Sequence, residues 1–248
     1  MSSPASLSSR DDFPSPRTVP ALLALARGYQ PAAVLTAAAE LEIFDALARH
    51  PQTATTLARR LRCDPRGLTV LLHALVALRL VRHWNHRYAL PHPLARYLTA
   101  AGEDSILGMI QHQANCLRNW AQLARVVKTG TPAARRPSVR GASHDRAAFI
   151  EAMHNISAPV ADRVIRAIRP RRVRHVLDVG GASGTWTLAF LRACPLATAT
   201  LVDLPAVIPL ARRRLARAGQ LARVALVGAD YLRDPLPPGA DLAWVSAI

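Results

Sequence analysis

The run His175-Val176-Leu177-Asp178-Val179-Gly180-Gly181-Ala182-Ser183-Gly184 reads as a short β-prone stretch that breaks into a glycine-rich turn ahead of a helix-forming segment. Glycines in such a turn let backbone N–H groups approach a ligand with no Cβ in the way, and the helix start behind them favours negative charge. The same pattern also serves as a plain tight connection, so the turn alone leaves both uses open. A second chemical signal is Asp203 in Leu201-Val202-Asp203-Leu204-Pro205, ending the next strand-like run about twenty residues on, where an acid accepts hydrogen bonds from both hydroxyls of a ribose. Its alternative is a cap on the helix that starts near Pro205. A third is Gly228-Ala229-Asp230-Tyr231, at the end of another strand-like run, where ligands of open α/β sheets gather. Asp230 there suits an adenine amino group, with Tyr231 or Leu204 packing on the ring; taken alone it reads as an ordinary turn residue.

These positions need a sheet to hold them. Val173–Val179, Ala199–Asp203, Val224–Val227 and Leu242–Ala247 alternate with the helical stretches Thr185–Ala193 and Ala206–Ala218, which predicts βαβ units and a parallel sheet over 171–248. Ahead of it the period is helical. One helix is expected over Pro31–Arg49, a short one over Thr55–Leu61, and one opening at Asp64-Pro65 with Leu68, Leu71, Leu72, Leu75 and Leu78 on its face. A hairpin turning near Asn85 follows, completing a winged-helix order over residues 21–100. Residues 101–170 read as linking helices: one along Ile106–Val127 closing at Gly130, a loop over Thr131–Gly141, and one over Asp145–Ile168 bending at Pro159. Residues 1–20, with four prolines among Ser and Asp, read as a disordered arm.

Leu-Asp-Val-Gly-Gly-Ala-Ser-Gly, Val-Asp-Leu-Pro and Gly-Ala-Asp-Tyr, in this order and spacing, resemble the cofactor motifs of the plant-type and acetylserotonin-type S-adenosylmethionine-dependent O-methyltransferases. Phe149-Ile150-Glu151-Ala152-Met153 resembles that family's helix ahead of the glycine loop, and Leu41–Leu98 its dimerisation domain. The resemblance implies an α/β fold: a mostly helical, winged-helix-like N-terminal domain, then a Rossmann-like parallel sheet, incomplete at its C-terminus. It implies S-adenosylmethionine with its amino-acid end near Asp178, Gly180 and Gly181, its ribose on Asp203 and its adenine beside Leu204, Asp230 and Tyr231. Met153, Trp186 and Ser246 would lie nearby. It also implies a homodimer and a small hydroxylated acceptor in a pocket drawing on the helices that carry Met109, Gln113, Trp120 and Met153 and on the segment missing after Ile248. Two departures stand out: Ala182 replaces the family's third glycine, and Tyr231 its usual Phe or Met. The family's general-base histidine would follow Ile248, so the expectation is a fragment that transfers no methyl group, while His154 and His175 read as surface or hairpin residues.

Composition bounds the alternatives. The formal charge is +16, but 22 basic and 11 acidic groups in 1–170 against 10 and 5 in 171–248 spread the excess evenly, and only Lys128 is a lysine. A winged-helix DNA-binding regulator would use Arg59, Arg60, Arg62, Arg66, Arg79, Arg82 and Arg87, yet its recognition helix offers only Arg66, Thr69 and His73 to read bases. A non-catalytic methyltransferase-like binding protein is the other alternative. Cys63, Cys116 and Cys194 lack metal or disulfide spacing, and no apolar run is long enough to cross a membrane, so the expectations are no metal, no membrane and a cytoplasmic protein.

Overall fold

The computed structural model describes residues 17–246 and 248. The expected arm therefore lies mostly outside the described residues. Helix α1 (Val19–Arg27) already begins two residues ahead of the expected start, with the Thr18 hydroxyl accepting from the Ala21 N–H at 3.3 Å. The N-terminal region continues through α2 (Tyr29–Glu40), α3 (Ile43–Arg49), α4 (Ala54–Leu61) and α5 (Pro65–Ala77), then the hairpin β1 (Arg82–Trp84) and β2 (Arg87–Ala89), then α6 (His92–Leu98). The single helix expected over 31–49 is two helices, because Glu42 adopts φ +58° and turns the chain. Asp64 caps α5 as its position suggests: Oδ2 accepts from the Gly67 N–H at 2.6 Å, with Pro65 in the first turn where no N–H is needed. Asn85 and His86 both have positive φ, +44° and +58°, the conformation a two-residue hairpin turn requires.

One core binds these pieces. Ile43, Phe44 and Leu47 of α3, Leu57 of α4 and Leu68, Leu72 and Leu75 of α5 are buried together with Tyr88 from the hairpin. The α5 stripe is thus covered by this chain's own helices, leaving Val70 and Leu78 exposed.

The linking region comprises α7 (Leu107–Trp120), α8 (Leu123–Thr129) and α9 (Ala142–Ile168). The long helix expected over 106–127 is broken at Ala121-Gln122, and α8 ends on Gly130 at φ +67°. Helix α9 runs for 27 residues through Pro159. Gly108 marks the closest approach of α7 and α9, since a Cβ there would sit 2.5 Å from that of Glu151.

The C-terminal region alternates β3 (His175–Val179), α10 (Thr185–Ala193), β4 (Thr198–Asp203), α11 (Ile208–Arg217), β5 (Val224–Gly228) and β6 (Leu242–Val245). All pairings are parallel, in the order β5-β4-β3-β6. The chain therefore steps outward from β3 on one side and returns to pair β6 on the other, which makes the ends of β3 and β6 the switch point where such sheets bind ligands. Helices α9, α10 and α11 pack on the sheet through Ala161, Ile165, Phe190, Ala211 and Leu215. Among the described residues no helix is long and apolar enough to cross a membrane, and no His, Cys, Asp and Glu cluster could hold a metal ion.

Candidate donor-binding site

The glycine turn is built by the strand beside it. Gly180 and Gly181 both donate to the Val202 carbonyl, at 2.8 and 3.3 Å, and Gly184 donates to the Gly181 carbonyl at 2.8 Å. Gly180 at φ +66° and Gly184 at φ +76° take the left-handed conformation that glycine tolerates. Gly181 is glycine for a different reason: a Cβ would fall 2.5 Å from Leu201 Cγ. Ala182 sits at φ +46°, so the replacement of the family's third glycine adds backbone strain as well as one methyl group.

The acids occupy unlike surroundings. Asp178 is only 1% exposed, and its Oδ2 accepts from the Thr187 hydroxyl at 2.5 Å and the Thr187 N–H at 3.1 Å. Burial pushes its carboxyl up to about 6 against those bonds. Its carboxylate thus ties β3 to the first turn of α10 beneath the turn, and any contact with a donor would come from the strand end it anchors. Asp203 is half-buried at the open end of β4, with Oδ2 accepting from the Ala182 N–H at 2.8 Å and Oδ1 from the Leu204 N–H at 2.7 Å. Burial raises its pKa, opposed by these two N–H groups. Each oxygen keeps a lone pair for a further donor. Asp230 lies one strand away: its Oδ1 accepts from the Leu232 N–H at 3.1 Å, and its own N–H donates to Asp234 at 2.8 Å. Leu204 and Tyr231 are 47% and 36% exposed at these strand ends, apolar surfaces left uncovered. Ser246 follows β6 directly, next to Gly180 across the Val179–Val245 pairing.

Trp186 lies in the first turn of α10, directly after the glycine turn. Its ring lies 5.1 Å from Trp244, which also meets Phe190 at 5.4 Å, in the layer between helices and sheet. His154 and His175 lie on α9 and β3, half-buried and hydrogen-bonded, not in a hairpin. Both His175 nitrogens reach hydroxyls of β4, Thr198 at 2.7 Å and Thr200 at 2.9 Å. His154, next to Met153 on α9, meets the Thr185 hydroxyl at 2.8 Å, and Thr185 meets Ser183 at 2.7 Å. This relay, with no spacing signal in the sequence, ties α9 to the glycine turn. Burial, with Arg214 nearby, lowers the His154 pKa to about 4, so the ring is neutral near pH 7.

A second feature stands above the sheet end. Helix α9 reaches the level of the turn at His154, and the turns before it border a pocket of about 420 Å³ against α7. Its lining includes His112, Asn115 and Asn119 of α7 and Asp145, Arg146 and Phe149 of α9; Met109, Gln113, Trp120 and Met153 are not among its lining residues. Gln113 and Trp120 face solvent.

Comparison with known proteins agrees with this geometry. Residues 120–248 match the O-methyltransferase domain family and residues 23–101 the O-methyltransferase dimerisation domain. The 3-hydroxy-5-methyl-1-naphthoate 3-O-methyltransferase of Streptomyces sahachiroi is 32% identical over 229 residues, covering 90% of this chain and 66% of that enzyme. The chain therefore spans just under two thirds of that relative's length. An O-methyltransferase family protein from Burkholderia thailandensis superposes with a TM-score of 0.68 at 28% identity, covering 88% of this chain and 66% of the other. PigF with SAH gives 0.72 at 25% identity, covering 91% and 70%. With residues 23–101 and 120–248 matched to its two domain families, this chain belongs to the O-methyltransferase family.

Proposed function

We propose that the protein binds S-adenosylmethionine at the ends of β3, β4, β5 and β6 and takes part in methyl transfer to a hydroxyl of a small aromatic or natural-product acceptor, working as a homodimer through its N-terminal domain. The observation that carries this reading is Asp203: its carboxylate is fastened to the glycine turn through the Ala182 N–H, yet stays half-exposed at the strand end with acceptor capacity to spare. The residues present fit the donor. Gly180 and Gly181 would bring backbone close to its amino-acid end, Asp203 would accept from ribose hydroxyls, Asp230 would accept from the adenine amino group, and Leu204 and Tyr231 would pack on the ring. When bound, S-adenosylmethionine supplies the electrophilic methyl group; the chain orients it and keeps the acceptor above the sheet end. Membership of the family and the naphthoate relative's activity both favour an aromatic hydroxyl as the acceptor.

The test is calorimetric titration of the 248-residue chain with S-adenosylhomocysteine. Binding by the wild type, weakened at least tenfold by Asp203→Ala, is expected, since a charge-assisted bond to a carboxylate contributes about 1.5–3 kcal/mol. Equal affinity in both proteins would remove Asp203 from the site.

A further inference from the structure

Four features converge on the pocket between α7 and α9. Helix α9 starts there, no side chain caps its first turn, and Ala142 at its first position lines the cavity. The positive end of a 27-residue helix attracts an anion. Arg135 and Arg136 from the preceding loop and Arg146 from α9 surround the same space, and among the described residues none of the three forms an ion pair. The one acid lining the pocket, Asp145, accepts from the Ser138 N–H at 2.8 Å, and three arginines against this one carboxylate make the lining net positive. Phe149, on the same side of α9 as Arg146, meets His112 of α7 edge to face at 5.2 Å, and burial lowers the His112 pKa. The cavity thus joins an aromatic surface to a cationic rim, in the size range of small-molecule sites.

We propose that this pocket takes an aromatic acid, seating its ring on Phe149 and His112 and its carboxylate among Arg136, Arg146 and the start of α9. The inference rests on the methyltransferase reading only in naming that acid as the acceptor. Arginine suits the task because its planar fork pairs with both carboxylate oxygens. The α9 residues that line the pocket, Ala142 to Phe149, precede His154 by five to twelve positions, about 8–18 Å along the axis at the helical rise, on the side of the sheet where the strands end.

The test compares 2-naphthoate with 2-naphthamide, which share a ring system and differ in charge, by titration into the 248-residue chain. The acid should bind about tenfold more tightly than the amide, with the preference shrinking as salt rises. In the double variant Arg136→Gln/Arg146→Gln the preference should fall to within about twofold while amide affinity stays unchanged, because neither arginine is buried. Phe149→Ala should weaken both probes alike. Equal binding of acid and amide, binding of neither, or a preference that survives the double variant overturns the proposal. S-adenosylhomocysteine titrated separately distinguishes the failures: donor binding without an acid preference sinks this inference alone, and an acid preference without donor binding sinks the methyltransferase reading alone.

Discussion

Ala182 carries a local conflict that its neighbours do not. At φ +46° its Cβ crowds the backbone, at a cost of roughly 1–2 kcal/mol for an L-residue, part of which a glycine would return as unfolded-state entropy. Ala182→Gly should therefore raise stability by at most about 1 kcal/mol in urea unfolding. Gly181→Ala should do the opposite by about 1–3 kcal/mol, because its Cβ would meet Leu201 Cγ. A change of the same sign for the two would mean the turn is not held as described.

Asp178 and His154 oppose each other in acid. The folded Asp178 titrates near 6 against 3.8 when free, so the native state takes up its proton first and this group's destabilising effect grows as pH rises from 3.8 to about 6. His154 titrates near 4 against 6.5, so the unfolded chain takes up that proton first and stability is lost as pH falls from 6.5 towards 4. Between pH 6.5 and 4.5, Asp178→Asn should lose stability more steeply than wild type and His154→Gln less steeply. Parallel unfolding profiles for the three proteins would show that neither group feels the burial assigned to it.

At the scale of elements, helix starts are set by short-range chemistry. Asp64-Pro65 makes a cap and a first turn with no help from elsewhere, and Asp64→Ala should cost about 0.5–2 kcal/mol through the lost bond to Gly67. Thermal unfolding unchanged by the substitution would show that α5 is held by its core face alone. Other boundaries depend on distant partners. The guanidinium of Arg223 donates to the carbonyls of Cys194 at 2.9 Å and Ala197 at 2.7 Å, closing the end of α10 onto the start of β4. Nothing in its own segment marks it for that task. The β3–β6 pairing is likewise clamped by Asp241, which accepts from the N–H groups of Arg174 at 2.8 Å and His175 at 3.1 Å.

At the scale of the molecule, the N-terminal region shows an apolar face that none of the described residues covers. Val19, Leu22 and Leu25 of α1 are 70%, 52% and 61% exposed, and no residue of that helix is buried. A second copy is the cover we expect, since the match to the dimerisation domain begins at residue 23. Light scattering should then give twice the 26.8 kDa chain mass, and Leu22→Glu with Leu25→Glu should shift the population towards monomer. A monomeric wild type at micromolar concentration would leave that face unexplained.

The sequence alone determined what depends on near neighbours. Alternating β-prone and helical runs gave the parallel sheet, Asp64 and Asn85 marked a cap and a turn, and the strand-glycine-acid spacing put the glycine turn and Asp203 at neighbouring strand ends, because each is a local rule of period or backbone conformation. Only the tertiary structure decided what depends on contacts between distant segments. It turned Asp178 inward onto Thr187 while leaving Asp203 half-open, brought His154 to Thr185 from 31 residues away, and aimed His112 rather than Gln113 into the pocket. Two aspartates at strand ends look alike in one dimension, and burial, which sets their protonation and their access to a ligand, is a property of the packed whole.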